Sequence, residues 1–438
     1  MELIKKLKKR EAENNPISVG IIGCGQMGSG VAHTISDIQG MRISAIADID
    51  TGRAVKTFRE MGYDDGDLVE TNSHDRAEDA LRAGKRLITQ DAALLPGLES
   101  IEANIEATGV PDVGAEMAWK SIMNRKPVIM LNVETDITIG ALLNYTARKN
   151  NSLYTVASGD EPGVCKMMYE QALLMGFEVV TIGKGKNNPV NLDATPDSCY
   201  EEALSKDMNP KILASFQDGT KTMVEMAAVS NSTGLIPDVP GMHGPKTELE
   251  ELLKTYIPHS AGGILKAHGR VDYSTGSIAP GVFVIVYSDN PRIQKDMKFI
   301  TRAEGPYYLH FRPYHLCDLE TPQSVAEAVL LNEVTVAAET MHSEVVAIAK
   351  RDLKAGEVLK GIGSADFFGR IYTYQQAGKM GAIPIGLAEK GKLLQNIKKG
   401  EVITREHLLP DDSSFIYHLR KIQDKLIEDG TIHEGLNC

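Results

Sequence analysis

The run Ile17-Ser18-Val19-Gly20-Ile21-Ile22 passes without a break into Gly23-Cys24-Gly25-Gln26-Met27-Gly28, and then into apolar residues at helical spacing, Val31, Ile35 and Ile38. A buried strand, a glycine turn and a helix in that order admit few folds, because the helix must pack straight back on the strand it follows. Gly23 permits the tight turn, Gly25 lets a pyrophosphate reach backbone amides at the positive end of the helix, and Gly28 lets helix and strand approach closely. Gln26 and Met27 belong to the same candidate cofactor loop. A second strand, Ile43 to Ala47, ends in Asp48, twenty residues beyond Gly28, where a carboxylate would bind the hydroxyls of an adenosine ribose. The context specifies a nicotinamide dinucleotide. Asp48 favours an unphosphorylated ribose; Arg53, five residues on, either neutralises a 2′-phosphate or lies solvated on the next helix. NADP is the expectation, with NAD as the alternative.

Further along, Ile101 to Gly109 reads as the strand and turn that pass beside the nicotinamide, with Thr108 and Gly109 at the turn, and Pro127 to Asn132 reads as the next strand. The fold class is therefore α/β: a Rossmann, doubly wound dinucleotide-binding domain followed by an α+β catalytic domain. With 438 residues the chain exceeds what one hydrophobic core serves. Residues 1–156 are assigned to the nucleotide domain, completed by a helix at about 321–338 that Thr321 would cap with Pro322 at its first position. Residues 157–320 are assigned to substrate binding and dimerisation, and 339–438 to a small β-rich domain with a final helix from Ser413 to Leu426. In that last region Asp352-Leu353-Lys354-Ala355-Gly356-Glu357-Val358-Leu359 is echoed 44 residues later by Asn396-Ile397-Lys398-Lys399-Gly400-Glu401-Val402-Ile403.

Lys+Arg 47 against Asp+Glu 59 leaves a net charge of −12, which argues against general affinity for nucleic acid or anionic membranes and points to a small-molecule partner. Five scattered cysteines without a C-x-x-C suit a reducing compartment, and the cytoplasm is the expected location. The N-terminal fifteen residues lack the apolar core of a secretory signal and read as a surface helix docking through Leu3, Ile4 and Leu7. No stretch has the ~18 consecutive apolar residues of a membrane span.

Three stretches carry candidate chemistry. After the strand-like Leu153 to Ala157, the loop Ser158-Gly159-Asp160-Glu161-Pro162-Gly163 sets two carboxylates side by side; Asp160 either caps a helix or, with Glu161, holds substrate hydroxyls or a divalent cation. Next, the apolar run Phe177 to Ile182 leads into GKGKNNPVNLD, residues 183–193. Alternation puts Lys184, Lys186 and Asn188 on one face, suited to an anion, while the glycines would admit a ligand to the backbone; a solvated hairpin is the competing reading. Finally, Ser215 to Ala228 reads as one helix on which Asp218, Lys221 and Glu225 are neighbours, either a salt-bridge ladder or a proton relay centred on Lys221. The rigid loop Pro237 to Pro245 presents His243, a structural or a substrate-binding imidazole.

Together these strings carry two resemblances. The fingerprint with Asp48, and Asp218-Gly219-Thr220-Lys221 at a helix start, resemble the homoserine dehydrogenase class, whose catalytic helix carries an Asp and a Lys similarly disposed. GDEPG (159–163), GKGKNNP (183–189), DGTKTMVEMA (218–227) and TGLIPDVPGMHGP (233–245) resemble the 1-deoxy-D-xylulose 5-phosphate reductoisomerase-like family along essentially the whole chain. That resemblance implies an NADPH-linked homodimer converting 1-deoxy-D-xylulose 5-phosphate to 2-C-methyl-D-erythritol 4-phosphate. It implies that Lys184, Lys186, Asn187 and Asn188 bind the substrate's phosphate or carbonyl-side oxygens. The repeated K-x-G-E-V elements resemble an SAF-type domain. The metal-binding V-D-S-E-H-type string of the main reductoisomerases is absent from this sequence, so magnesium or manganese would need a substitute such as Glu134, Asp160 and Glu161. A plain dehydrogenase of a hydroxy or sugar acid, and a non-catalytic dinucleotide-binding sensor, are the competing functions.

Overall fold

A computed structural model describes residues 2–206 and 208–433. They form two compact units: the described residues within 2–163, 316–339 and 418–433 make up the first, and those within 164–206, 208–315 and 340–417 the second. The 339–438 region expected to stand alone is thus divided between them.

The first unit is built on strands β1 (Ile17–Ile22), β2 (Met41–Ala47), β3 (Leu68–Glu70), β4 (Arg86–Thr89), β5 (Ala103–Glu106), β6 (Val128–Met130) and β7 (Tyr154–Val156). All pairs are parallel, in the order β3-β4-β2-β1-β5-β6-β7. Every residue of β1 is buried, as expected of a strand covered on both faces by crossover helices. The order reverses between β1 and β5, and in open α/β sheets that is where ligands bind, beyond the carboxyl ends of the strands. The helix Cys317–Leu330 belongs to this unit and begins earlier than expected, so Thr321 lies inside it, its hydroxyl on the Cys317 carbonyl at 2.7 Å, and Pro322 is interior rather than first. Of the N-terminal helix Glu2–Ala12, Leu7 is buried and Leu3 packs beside it, whereas Ile4 is exposed. The final helix, Phe415–Glu428, inserts Gln423 against the helix Val133–Lys149: its amide donates to the Thr138 carbonyl at 3.1 Å and accepts from the Leu142 amide at 3.0 Å.

The second unit holds a mixed sheet of β8 (Glu178–Gly185), β9 (Ile236–Pro237), β10 (Arg270–Ser274), β11 (Val282–Tyr287) and β12 (Tyr307–Arg312), in the order β12-β11-β8-β10-β9. Central β8 runs parallel to β10 and antiparallel to β11. Residues 340–417 add the antiparallel pair β13 (Ser343–Ala349) and β14 (Phe367–Thr373), and the short pair β15 (Lys392–Leu393) and β16 (Leu408–Leu409). The internal echo is a pseudo-twofold pair. Leu353 and Ile397 exchange backbone hydrogen bonds at 2.9 and 3.0 Å, and Gly356 and Gly400 occupy matching left-handed turns at φ 89° and 87°. Each Lys amide is bound by the Glu three residues on, Lys354 by Glu357 and Lys398 by Glu401. No helix among the described residues is long and apolar enough to cross a membrane.

Candidate functional site

In the first unit the fingerprint residues close the turn after β1. Gly23 has φ 93°, and a Cβ there would lie 2.8 Å from the backbone of Ala107 and Thr108, so the turn abuts the one that follows β5. A Cβ on Gly28 would lie 2.0 Å from the Gly23 carbonyl oxygen, which is the close helix–strand approach that the spacing implied. Gly25 precedes the helix Gln26–Ser36, and a Cβ there would meet nothing within 4 Å. The space beside Gly25 at this helix start is therefore open, as the approach of a pyrophosphate requires. Asp48 accepts from the Cys24 amide at 2.6 Å and from the Asp50 amide at 2.8 Å, which ties the end of β2 to the glycine loop; each carboxylate oxygen keeps further acceptor capacity. Arg53 lies on the helix Thr51–Glu60, exposed, 3.4 Å from Asp50.

The sequence reading passed over Glu106. It ends β5, is fully buried, and accepts from the Thr108 amide at 2.9 Å and from the Thr108 hydroxyl. Burial pushes its carboxyl up to about 7 against the Thr108 hydrogen bonds, which pull the other way. Thr108 is thereby held in the turn that follows β5. The available signal was an acid closing the otherwise apolar strand Ala103-Asn104-Ile105-Glu106. Beyond β7, Asp160 and Glu161 are both buried. Gly159 before them has φ 80°, and a Cβ on it would lie 2.5 Å from the Leu316 carbonyl. Two adjacent buried carboxylates are hard oxygen donors of the kind magnesium or manganese takes.

In the second unit the predicted residues gather where β8 ends. Lys184 and Lys186 are both buried. The Lys184 ammonium is paired with the buried Glu225 carboxylate, and the Lys186 ammonium donates to the Asn188 carbonyl at 2.7 Å while its amide donates to Ser274 at 2.7 Å. Burial, then the Lys184 charge, lower the Lys186 ammonium to about 8; Asp218 and Glu225 oppose that shift. The alternation argument thus put two lysines into one electrostatic centre. Asn188 contributes its carbonyl, and Asn187 is exposed.

Two expectations change. The glycines do not admit a ligand to the strand. A Cβ on Gly183 would lie 2.2 Å from the Phe283 ring, and one on Gly185 would lie 2.2 Å from the Ala279 amide nitrogen, so the chain itself fills both places. Nor is Ser215 to Ala228 one helix. The helix Pro210–Gln217 ends at Asp218, Gly219 turns at φ 87°, and a second helix, Thr220–Thr233, begins there. Asp218 accepts from the Thr220 amide at 2.8 Å, and that side-chain turn breaks the helical register. Of the carboxylates expected to flank Lys221, Glu225 pairs with Lys184, and Asp218 pairs with Lys350 at 2.7 Å.

Lys350 was missed because it lies in the region read as a separate domain. It follows β13, is buried, and its ammonium also donates to the Ala194 and Ser364 carbonyls, each at 2.7 Å. The Gly369 amide of β14 donates to the Thr220 hydroxyl at 2.8 Å, and the His342 and Ser343 amides donate to the Asn231 side chain at 2.8 Å. These bonds lock residues 340–417 to both ends of the 220–233 helix. Burial raises the Asp218 carboxyl even though Lys350 lowers it.

His243 is held in its loop rather than left free. Its Nε2 lies 3.0 Å from the Asp238 carboxylate, which also accepts from Arg270 at 2.8 Å. The Asp272 carboxylate on β10 accepts from the amides of His243, Gly244 and Tyr273, and burial pushes it up to about 6 despite those bonds. Among the described residues Cys24, Cys165, Cys199 and Cys317 are in no disulfide, and Cys438 lies outside the described residues.

Residues 159–321 match the family model described as the catalytic domain of the oxidoreductase DRL, a span that includes the Lys184, Lys186, Asp218 and Glu225 centre. No curated protein matches the chain. Similar solved structures include a probable dehydrogenase from Thermotoga maritima, 13% identical, with a TM-score of 0.42 over 73% of this chain and 90% of that one. They also include the apo scyllo-inositol dehydrogenase of Lactobacillus casei, 12% identical, TM-score 0.42, over 73% and 89%. A third is the myo-inositol dehydrogenase of the same organism in complex with NAD(H) and myo-inositol, 12% identical, TM-score 0.36, over 62% and 71%. These are likenesses of backbone, and no function is carried from them. What the chain contains is a doubly wound α/β sheet bearing the dinucleotide fingerprint, and a region that matches an oxidoreductase catalytic domain.

Proposed function

We propose that the protein is an NAD(P)H-dependent oxidoreductase acting on a small phosphorylated or acidic sugar derivative, in its most specific form the isomerising reduction of 1-deoxy-D-xylulose 5-phosphate to 2-C-methyl-D-erythritol 4-phosphate. The observation that carries this reading is the buried pair Lys184 and Lys186, of which Lys184 is paired with the Glu225 carboxylate while the Lys186 ammonium donates to the Asn188 carbonyl. A desolvated ammonium opposite a substrate oxyanion stabilises developing charge without having to reorganise. The family match over 159–321 supports oxidoreduction, and the fingerprint after β1 supports a dinucleotide, which when bound supplies the hydride.

In this reading Lys186, with its proton held near neutrality, binds the phosphate or the enediolate-like oxygen and can return a proton to it. The Lys184–Glu225 pair fixes the local field and keeps the second lysine in place. Asp218, held by Lys350, sets the start of the 220–233 helix and so the position of Lys221, the candidate proton relay. His243, braced by Asp238, would meet substrate hydroxyls. Asp160 and Glu161 would hold magnesium or manganese. Asp48 would hold the ribose, and Arg53, which can leave its exposed pairing with Asp50 at little cost, would accept a 2′-phosphate. A homodimer is part of the same proposal.

The test is oxidation of NADPH and of NADH by the purified protein with 1-deoxy-D-xylulose 5-phosphate, with and without magnesium or manganese, repeated with Lys186→Ala. Rapid NADPH loss that disappears in the variant supports the reading. Protein that binds the dinucleotide but oxidises it under none of these conditions removes that substrate and directs the search to other sugar acids.

A further inference from the structure

Away from the lysine centre, the second unit contains a cavity of about 430 Å³ bounded by Pro196, Lys211, the 358–361 segment, Ser364 and the Glu389-Lys390 turn. Three ammonium-bearing side chains, Lys211, Lys360 and Lys390, line it, and among the described residues none of them comes within ion-pair distance of a carboxylate. Three lysines against the single acid Glu389 leave this wall with an excess of positive charge, in a chain of net charge −12, that a bound anion would balance. Local backbone geometry maintains the arrangement. Lys390 sits at φ 62°, a left-handed conformation unusual for a side-chain-bearing residue, and its amide donates to the Leu359 carbonyl at 2.8 Å. A Cβ on Gly361 would lie 2.6 Å from the Glu389 carboxylate, so the glycine is what lets that acid lie against the cavity wall.

The chemistry separates into two parts. Ammonium groups are compact point charges suited to phosphate, and a carboxylate accepts hydrogen bonds from hydroxyl groups. We propose that this cavity binds a small phosphorylated polyol or sugar, its phosphate on Lys211, Lys360 and Lys390 and its hydroxyls on Glu389. One wall is tied to the catalytic helix: the carbonyl of Ser364 accepts from Lys350, the cation of Asp218. The proposal concerns binding alone and does not depend on the reaction proposed above.

Calorimetric titration of the full-length protein with glycerol 3-phosphate tests it, in a Lys186→Ala background that removes the catalytic anion site. Saturable binding is expected to remain there, to weaken at least tenfold on adding Lys360→Gln and Lys390→Gln, and to weaken on adding Glu389→Gln while inorganic phosphate binding does not. All three substituted side chains are at least partly exposed, so the fold is expected to survive, and circular dichroism verifies it. No saturable binding in the Lys186→Ala protein, or binding indifferent to the two lysine substitutions, would overturn the site. Equal losses of glycerol 3-phosphate and phosphate in Glu389→Gln would overturn the polyol assignment. Because no turnover is measured, a failure here is distinct from a failure of the oxidoreductase reading.

Discussion

A glycine turn follows β1, and two further glycines lie in the last residues of β8; the two places use glycine for opposite purposes. After β1, Gly25 faces open space and Gly23 and Gly28 bring backbone to backbone, so the turn leaves room beside its own backbone. At the end of β8, Gly183 and Gly185 accommodate the Phe283 ring and the Ile278-Ala279 backbone, so nothing from outside can enter there. In the first turn the open space lies against the backbone. In the second the glycine positions are filled by the chain, and the proposed anion binding rests on the intervening side chains, Lys184 and Lys186. A glycine spacing announces close approach; whether a ligand or the protein itself approaches depends on what the rest of the chain brings to that place.

Substitutions on the two sides of this comparison should behave differently. The largest effect is expected at Lys184: Lys184→Ala removes the ammonium paired with the buried Glu225 carboxylate, and the unfolding free energy from denaturant titration should fall by about 3–5 kcal/mol. Gly185→Ala forces a Cβ against the Ala279 amide and should cost about 1–3 kcal/mol. By contrast, Gly25→Ala should leave the denaturation midpoint within about 0.5 kcal/mol of the parent while weakening dinucleotide binding about tenfold. Equal destabilisation by the two glycine variants would erase the distinction drawn here.

Protonation sharpens the same contrast. With its ammonium near 8, Lys186 is cationic below that pH and neutral above it, so kcat/KM for an anionic substrate should fall about tenfold between pH 7 and 9, and Lys186→Arg should flatten the profile. The same depression below the ordinary lysine value means that the unfolded chain binds more protons between about pH 8 and 10.5, so Lys186 makes stability rise with pH across that window. In the first unit the sign reverses. Glu106, raised to about 7, leaves the folded protein holding an extra proton above the ordinary carboxyl range, so its contribution is full below about pH 4.5 and lost as pH rises through 7. Glu106→Gln should remove that slope, a smaller change, visible as a flatter dependence of melting temperature on pH.

The sequence by itself determined what short-range spacing can encode. The strand-turn-helix of residues 17–36, the acid at the end of β2, the two lysines two residues apart on one face and the K-x-G-E-V repeat all follow from periods of two and 3.6 residues and from glycine at positive φ. Only the tertiary structure decided which partner each charged side chain has. Asp218 lies beside Lys221 in sequence, but its cation is Lys350 from the far end of β13, and Glu225 takes Lys184 from β8. It also decided that residues 340–417 pack on the 220–233 helix instead of forming a domain of their own, and that Gln423 closes on Thr138 and Leu142. The physical reason is the same in each case. Burying a charge or an amide requires a partner within about 3 Å, and periodicity along the chain specifies which face a residue occupies but carries no record of what packs against that face.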